Sequence, residues 1–302
     1  MHKSIDTKYL INKVHFIVSL TGNHLVSAED LYKYHIVRYF TNSEFHILES
    51  REELNKCLLK IEQDTTDKVF PLIHIEAHGL ESGNGIELES KEQLYWEDLR
   101  SHFTAINRKC CNNLSLCISA CNSMHIVGEL IKPFYDSMDA QVPFFCFVGT
   151  ERTVNVDELI SAFPTFYSSL NGTKNLNKAV LKMNEEKGTT FRYDMCYSAF
   201  RIIISKFADT WIKKRVKFLT EDPDRLESVY CPMYYYTYGK ECGIKAIREI
   251  MISEQFYLDY LNKRQRDYLM TSMCEENEGR FPIIDGLNNF EKSIPILKTL
   301  IR

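Results

Sequence analysis

Between residues 13 and 190 the chain alternates short β-branched, apolar runs with amphipathic stretches, and this alternation limits the fold more than any other feature. KVHFIVSL at 13–20 reads as a strand. Residues 27–40 read as a helix, with Ser27 as cap, Asp30 in the acidic third position, and an imperfect apolar stripe through Leu31, Ile36 and Phe40. Short strands are expected to begin near Lys13, Phe45, Val69, Asn113 and Pro143, with a small hairpin or two extended pieces over 86–88 and 93–96, after Gly79, Gly83 and Gly85. Helices are expected at 51–59, from Trp96, at 123–131, at 156–170 and at 176–186, the last two separated by Asn171 and Gly172. Ser50 caps the first of these. Apolar strands alternating with helices imply a mainly parallel sheet covered on both faces, an α/β sandwich. Such sheets collect ligands and chemistry at the carboxyl ends of their strands.

From about residue 189 the alternation stops. Residues 191–218 and 244–269 read as helical, and CPMYYYTYG at 231–239 lies between them. The expected organisation is a sheet domain over 1–188 and a mainly helical, tyrosine-rich region over 189–302, packed on the sheet domain through residues such as Ile203, Phe207 and Trp211. At 302 residues a chain of this kind suits one large domain, or one of average size with an appendage. A net charge of −4 gives no reason to expect direct nucleic-acid binding, and the basic run Lys213, Lys214, Arg215 and Lys217 reads as a solvated helix face. No apolar run reaches membrane-spanning length, and the N-terminus lacks an apolar signal core, so a cytoplasmic protein with reduced thiols and no membrane partner is expected. None of the ten cysteines forms a CxxC pair, so neither a metal nor another cofactor is expected from them.

Two strand ends carry residues suited to chemistry. One strand runs into His78-Gly79 and the next core strand into Ser119-Ala120-Cys121-Asn122-Ser123. If the two strands are neighbours, His78 and Cys121 share one sheet edge, where an imidazole can take the thiol proton. The N–H groups of Gly79 and Cys121 are then natural oxyanion donors, and a following helix that opens at Ser123 favours thiolate. Cys117 and Cys146 read as core, His74 as strand interior and His125 as packing. No histidine lies beyond residue 125, so any imidazole chemistry draws on the first 125 residues.

These residues carry a resemblance. LIHIEAHG at 72–79, the hairpin and YWEDL that follow, and LCISACNS at 116–123 resemble the caspase-like cysteine peptidases of clan CD, closest to the CHAT branch. The His–Cys separation of 43 residues suits that family. A third block at 143–184, in which a strand ending in glycine precedes two helices, also resembles the CHAT pattern. The resemblance covers about residues 13–187 and implies a three-layer caspase-like sandwich. It also implies a cysteine endopeptidase with Cys121 as nucleophile, His78 as general base or imidazolium partner and a protein or peptide substrate; no third catalytic residue can be assigned, and in that family the pair often suffices. In that fold the pocket beside the scissile bond is built from strand ends, here residues 21–24, Ser119 and 150–152. Glu151 would favour a basic substrate residue and Arg152 an acidic one, with Asp157 a further acidic candidate. The resemblance further suggests a gated effector in bacterial anti-phage defence or cell death, switched by a partner protein or a nucleotide signal. The alternative is a non-catalytic scaffold that binds a partner through its C-terminal region, and an intact His78/Cys121 pair argues against it.

Overall fold

A computed structural model describes residues 11–131, 141–198, 200, 253–271, 273, 274, 277, 280 and 281. The chain divides into two units: residues 1–199 with 268–281, and residues 200–267 with 282–302. The tyrosine run at 234–238, the basic run at 213–217 and the apolar residues 202–211 lie outside the described residues. In the second unit, the described residues belong mainly to a helix over Glu254–Tyr268.

The first unit is α/β. Its strands are β1 (Lys13–Ser19), β2 (Ser43–Ile47), β3 (Pro71–Gly79), β4 (Gly85–Glu87), β5 (Gln93–Tyr95), β6 (Ser115–Ser119), β7 (Cys146–Gly149) and β8 (Arg192–Met195). The sheet runs β2-β1-β3-β6-β7-β8, with the hairpin β4-β5 attached to the end of β3. The first five of these pair in parallel, and β8 closes the edge antiparallel to β7. The five core strands begin within three residues of their expected starts.

Helices α1 (Gly22–Leu31), α2 (Val37–Tyr39), α3 (Arg51–Asp64), α4 (Trp96–Lys109), α5 (His125–Ile131), α6 (Val156–Thr173) and α7 (Leu176–Lys187) fill the connections, with a π-helical turn over Tyr32–Ile36 between α1 and α2. Both faces of the sheet are covered. On one, Ile17, Ile73, Ile75 and Ala77 pack with Leu54, Leu58 and Ile61 of α3 and Leu99, Phe103 and Ile106 of α4. On the other, the His74 ring lies between Phe16 of β1, 4.8 Å away between ring centroids, and Phe163 of α6, 4.7 Å away. Alternation along each strand sends successive side chains to these two cores, which is why β1 and β3 are buried almost throughout.

Several elements depart from the sequence reading. Helix α1 starts at Gly22, not near Ser27. Gly22, at φ +58°, turns the chain straight from β1 into the helix, and Ser27 bonds back to the Asn23 carbonyl from within it. Ser50 does cap α3, in a full capping box with Glu53. Helix α6 runs on through Asn171 and Gly172 and stops at Lys174, at φ +51°. Residues 192–195, read as the start of a helix, form β8; an edge strand pairs through its backbone and needs no apolar pattern.

Residues 268–281 return to the first unit. Asn112 Nδ2 donates to the Leu269 carbonyl at 3.0 Å, and the Arg280 guanidinium lies 4.0 Å from the centre of the Phe145 ring. Cys111 and Cys274, 163 residues apart, are paired as a disulfide with Cα atoms 5.8 Å apart, which corrects the expectation that every thiol is reduced. No helix among the described residues is long and apolar enough to cross a membrane.

Candidate active site

Strands β3 and β6 are neighbours, and their register pairs Glu76 with Ser119. Past the end of β6 the chain turns, and Cys121 comes to lie beside the His78-Gly79 end of β3 at the carboxyl edge. Backbone packing brings them close: a methyl group on Gly79 would overlap the Cys121 carbonyl oxygen and lie 2.8 Å from the Cys121 nitrogen. Only a residue without a side chain allows this approach. Gly79→Ala is expected to displace the Cys121 turn and remove most of any activity that depends on it; an alanine variant with unchanged turnover in a peptide assay would break this link.

The residues after β6 do not open a helix at Ser123. Residues 121–124 form a turn with Asn122 at φ +56°, and α5 starts at His125, so a helix end does not act directly on the thiol. The turn is instead clamped to the loop after β7. Asn122 N–H donates to the Arg152 carbonyl at 3.2 Å and Met124 N–H to the Thr150 carbonyl at 3.0 Å. Thr150 N–H donates to Ser123 Oγ at 3.1 Å, and the Cys121 thiol points to the Val154 carbonyl at 3.7 Å. Among the described residues the Cys121 N–H has no hydrogen-bond acceptor, so it is available to an oxyanion. Of the free cysteines among the described residues, Cys121 alone is not buried. Cys117 and Cys146 are core, as expected, and burial pushes the Cys146 thiol up to about 12.

His78 is exposed at the strand end, beside the His24 ring of α1 at 5.6 Å between centroids. Partial desolvation, and then the neighbouring His24, lower its pKa, so the imidazole is neutral near pH 7 and can accept a proton. His125, also exposed, sits against Gly83.

Behind the dyad, buried polar groups line the α1/α6 face of β3. His74 is bonded at both ring nitrogens, to Tyr167 Oη at 2.6 Å and to Ser119 Oγ at 2.6 Å, and burial drives its pKa down to about 3. Glu76, on the same face two residues before His78, is 5% exposed, and burial lifts its pKa to about 8. It lines a small cavity of about 30 Å³ with Leu20, His24, Ser27, Val156 and Leu159, room for one or two waters.

The expected pocket residues are placed differently from one another. Ser119 is buried, with its hydroxyl held by His74. Glu151 is paired with Arg192 of β8, and Arg152 with Glu158 of α6 and with Thr190. Neither is an unpaired charge waiting for a substrate. Asp157 is exposed in the first turn of α6. His24 does lie beside the dyad and lines the cavity with Glu76. The sequence reading passed over Glu76; the available signal was a lone acid inside LIHIEAHG, on the same strand face as His78.

In comparisons with known proteins, no family model matches the chain and no curated protein matches it.

Proposed function

We propose that this chain is a caspase-like cysteine endopeptidase working through His78 and Cys121. The observation that carries the reading is the seating of the His78-Gly79 backbone against Cys121 at adjacent strand ends, with the one accessible free thiol of the described residues at that point. In this reading His78 takes the Cys121 proton, and the thiolate attacks a peptide carbonyl. The N–H groups of Gly79 and Cys121 receive the oxyanion. The imidazolium then protonates the departing amine, leaving a thioester on Cys121. Water, deprotonated by His78, hydrolyses the thioester and frees the thiol. A role as a gated effector in anti-phage defence or cell death, with a protein or nucleotide activator, rests on the sequence resemblance alone.

A peptidyl acyloxymethyl ketone, which alkylates a catalytic thiolate, tests the proposal. Labelling of the full chain that disappears in Cys121→Ala and falls strongly in His78→Ala supports it. Equal labelling of wild type and Cys121→Ala, or none across a panel of peptides with cleavage of no protein substrate, favours the non-catalytic scaffold.

A further inference from the structure

Three side chains meet between β1 and the edge strand β2, on the sheet face opposite to the His74–Glu76–His78 line. His15 stands directly across from Glu44 in the parallel register, and His46 is one step along the same face, opposite Ile17. The same three atoms make every contact. His15 Nδ1 is 3.4 Å from His46 Nε2 and 3.8 Å from Glu44 Oε2, and His46 Nε2 is 3.6 Å from that oxygen. These separations are too long for a set of good hydrogen bonds. They fit the edges of a coordination tetrahedron: metal–ligand bonds of roughly 2.0–2.1 Å place tetrahedral donor atoms about 3.3 Å apart. An octahedral site would draw them to about 2.9 Å.

We propose that His15, Glu44 and His46 form a three-ligand site for a tetrahedral divalent transition cation, zinc in the first instance, with the fourth position open to water. Two imidazoles and one carboxylate are a donor set for such ions. The surroundings keep both rings in the ligand form. His15 is buried and His46 half-buried, and desolvation lowers the pKa of each, that of His15 to about 4. The second carboxylate oxygen of Glu44 is held by Lys13 Nζ at 2.5 Å, which turns Oε2 toward the two rings. Lys13 and, from α3, Lys60 are the opposing positive charges, and the buried Cys57 thiol of α3 is near enough to feel the Glu44 charge. A bound ion would tie the edge strand β2 to β1, where backbone pairing is one-sided. The site is independent of the peptidase reading, since it shares no residue with it.

Equilibrium dialysis of the untagged full chain against zinc decides the matter, using Cys121→Ala protein so that the accessible thiol holds no metal. The expected result is one zinc per chain. Binding should weaken by more than roughly 100-fold in His46→Ala, beyond the 10–100-fold typical of losing an outer hydrogen-bond partner, and by at least roughly 10-fold in Glu44→Gln. Far-UV circular dichroism checks that each variant is folded, and if His46→Ala is not, Glu44→Gln decides, because Glu44 is partly exposed and its isostere keeps the volume. Zinc should also raise the melting temperature of the parent protein but not of the variants. No bound zinc, or zinc held equally well by the folded variants, overturns the site and leaves a histidine pair beside the Lys13–Glu44 ion pair.

Discussion

Cys121→Ala should reduce peptide hydrolysis by roughly 10⁴-fold or more, and His78→Ala should do nearly the same, since nucleophile and base act as one unit. The double variant should be no worse than either alone. Stability should hardly change. His78 is exposed and Cys121 half-buried, each at a strand end outside both cores, so the cost should remain within about 1 kcal/mol. Steady-state kinetics on a cleaved peptide, with thermal melts of the same preparations, provide both readouts. Retained turnover in Cys121→Ala would falsify the nucleophile assignment. Retained turnover in His78→Ala alone would shift the base to His24, the imidazole beside it, and a His24→Ala/His78→Ala protein would then be inactive.

The parts of this fold that were legible in the sequence are those where burial on both sides of a sheet demands an apolar run. KVHFIVS, PLIHIEAHG and SLCIS could hardly be anything but core strands, and each was placed to within two residues at its start. Boundaries set by backbone geometry were harder. Ser27 and Asp30 imitate a helix start, while the real one follows from Gly22 turning directly off β1. Strand β8, RYDM, carries two charges and shows nothing to a search for apolar alternation, because its pairing with β7 is made by backbone groups. The same division holds at the candidate site. His78 and Cys121 were legible because strand ends announce themselves, and adjacency of their strands needed only the usual order of a parallel sheet. The state of Glu151 and Arg152 was not, since Arg192 and Glu158 come from elements 41 and 6 residues away whose packing no local pattern encodes. Nor could spacing pair Cys111 with Cys274 across 163 residues.

Glu76 should impose a falling limb on the stability of the first unit between pH 6.5 and 8. Its pKa is lifted by burial from an ordinary 4.5 to about 8, so the native state holds its proton more tightly than the unfolded chain does. The stabilisation from that proton is complete below pH 4.5 and is lost as pH rises through 8. The buried histidines act in the opposite sense. His74 and His15, lowered from 6.5 to about 3 and about 4, are neutral in the fold, so their contribution is present above pH 6.5 and is lost as pH falls toward those values. His46 and His78 are shifted in the same direction. Between pH 4.5 and 6.5 the two effects oppose each other; above 6.5 the histidine contribution is constant and Glu76 is left to set the slope. The buried thiols of Cys110, Cys146 and Cys196, pushed up to about 12 from 9, enter only on the alkaline side of this window. At about 1.4 kcal/mol per pH unit, the limb from 6.5 to 8 amounts to at most about 2 kcal/mol, or roughly 4–8 °C in melting temperature for a unit of this size. Glu76→Gln keeps the shape and hydrogen-bonding capacity of the side chain but carries no ionisable proton. Its melting temperature should be nearly flat from pH 6.5 to 8, and the two proteins should differ most at pH 8, with the variant the more stable. A flat wild-type profile, or a slope that survives in Glu76→Gln, would show that the carboxyl is already ionised in the fold, and the cavity beside His24 would then present a negative wall instead of a neutral acid.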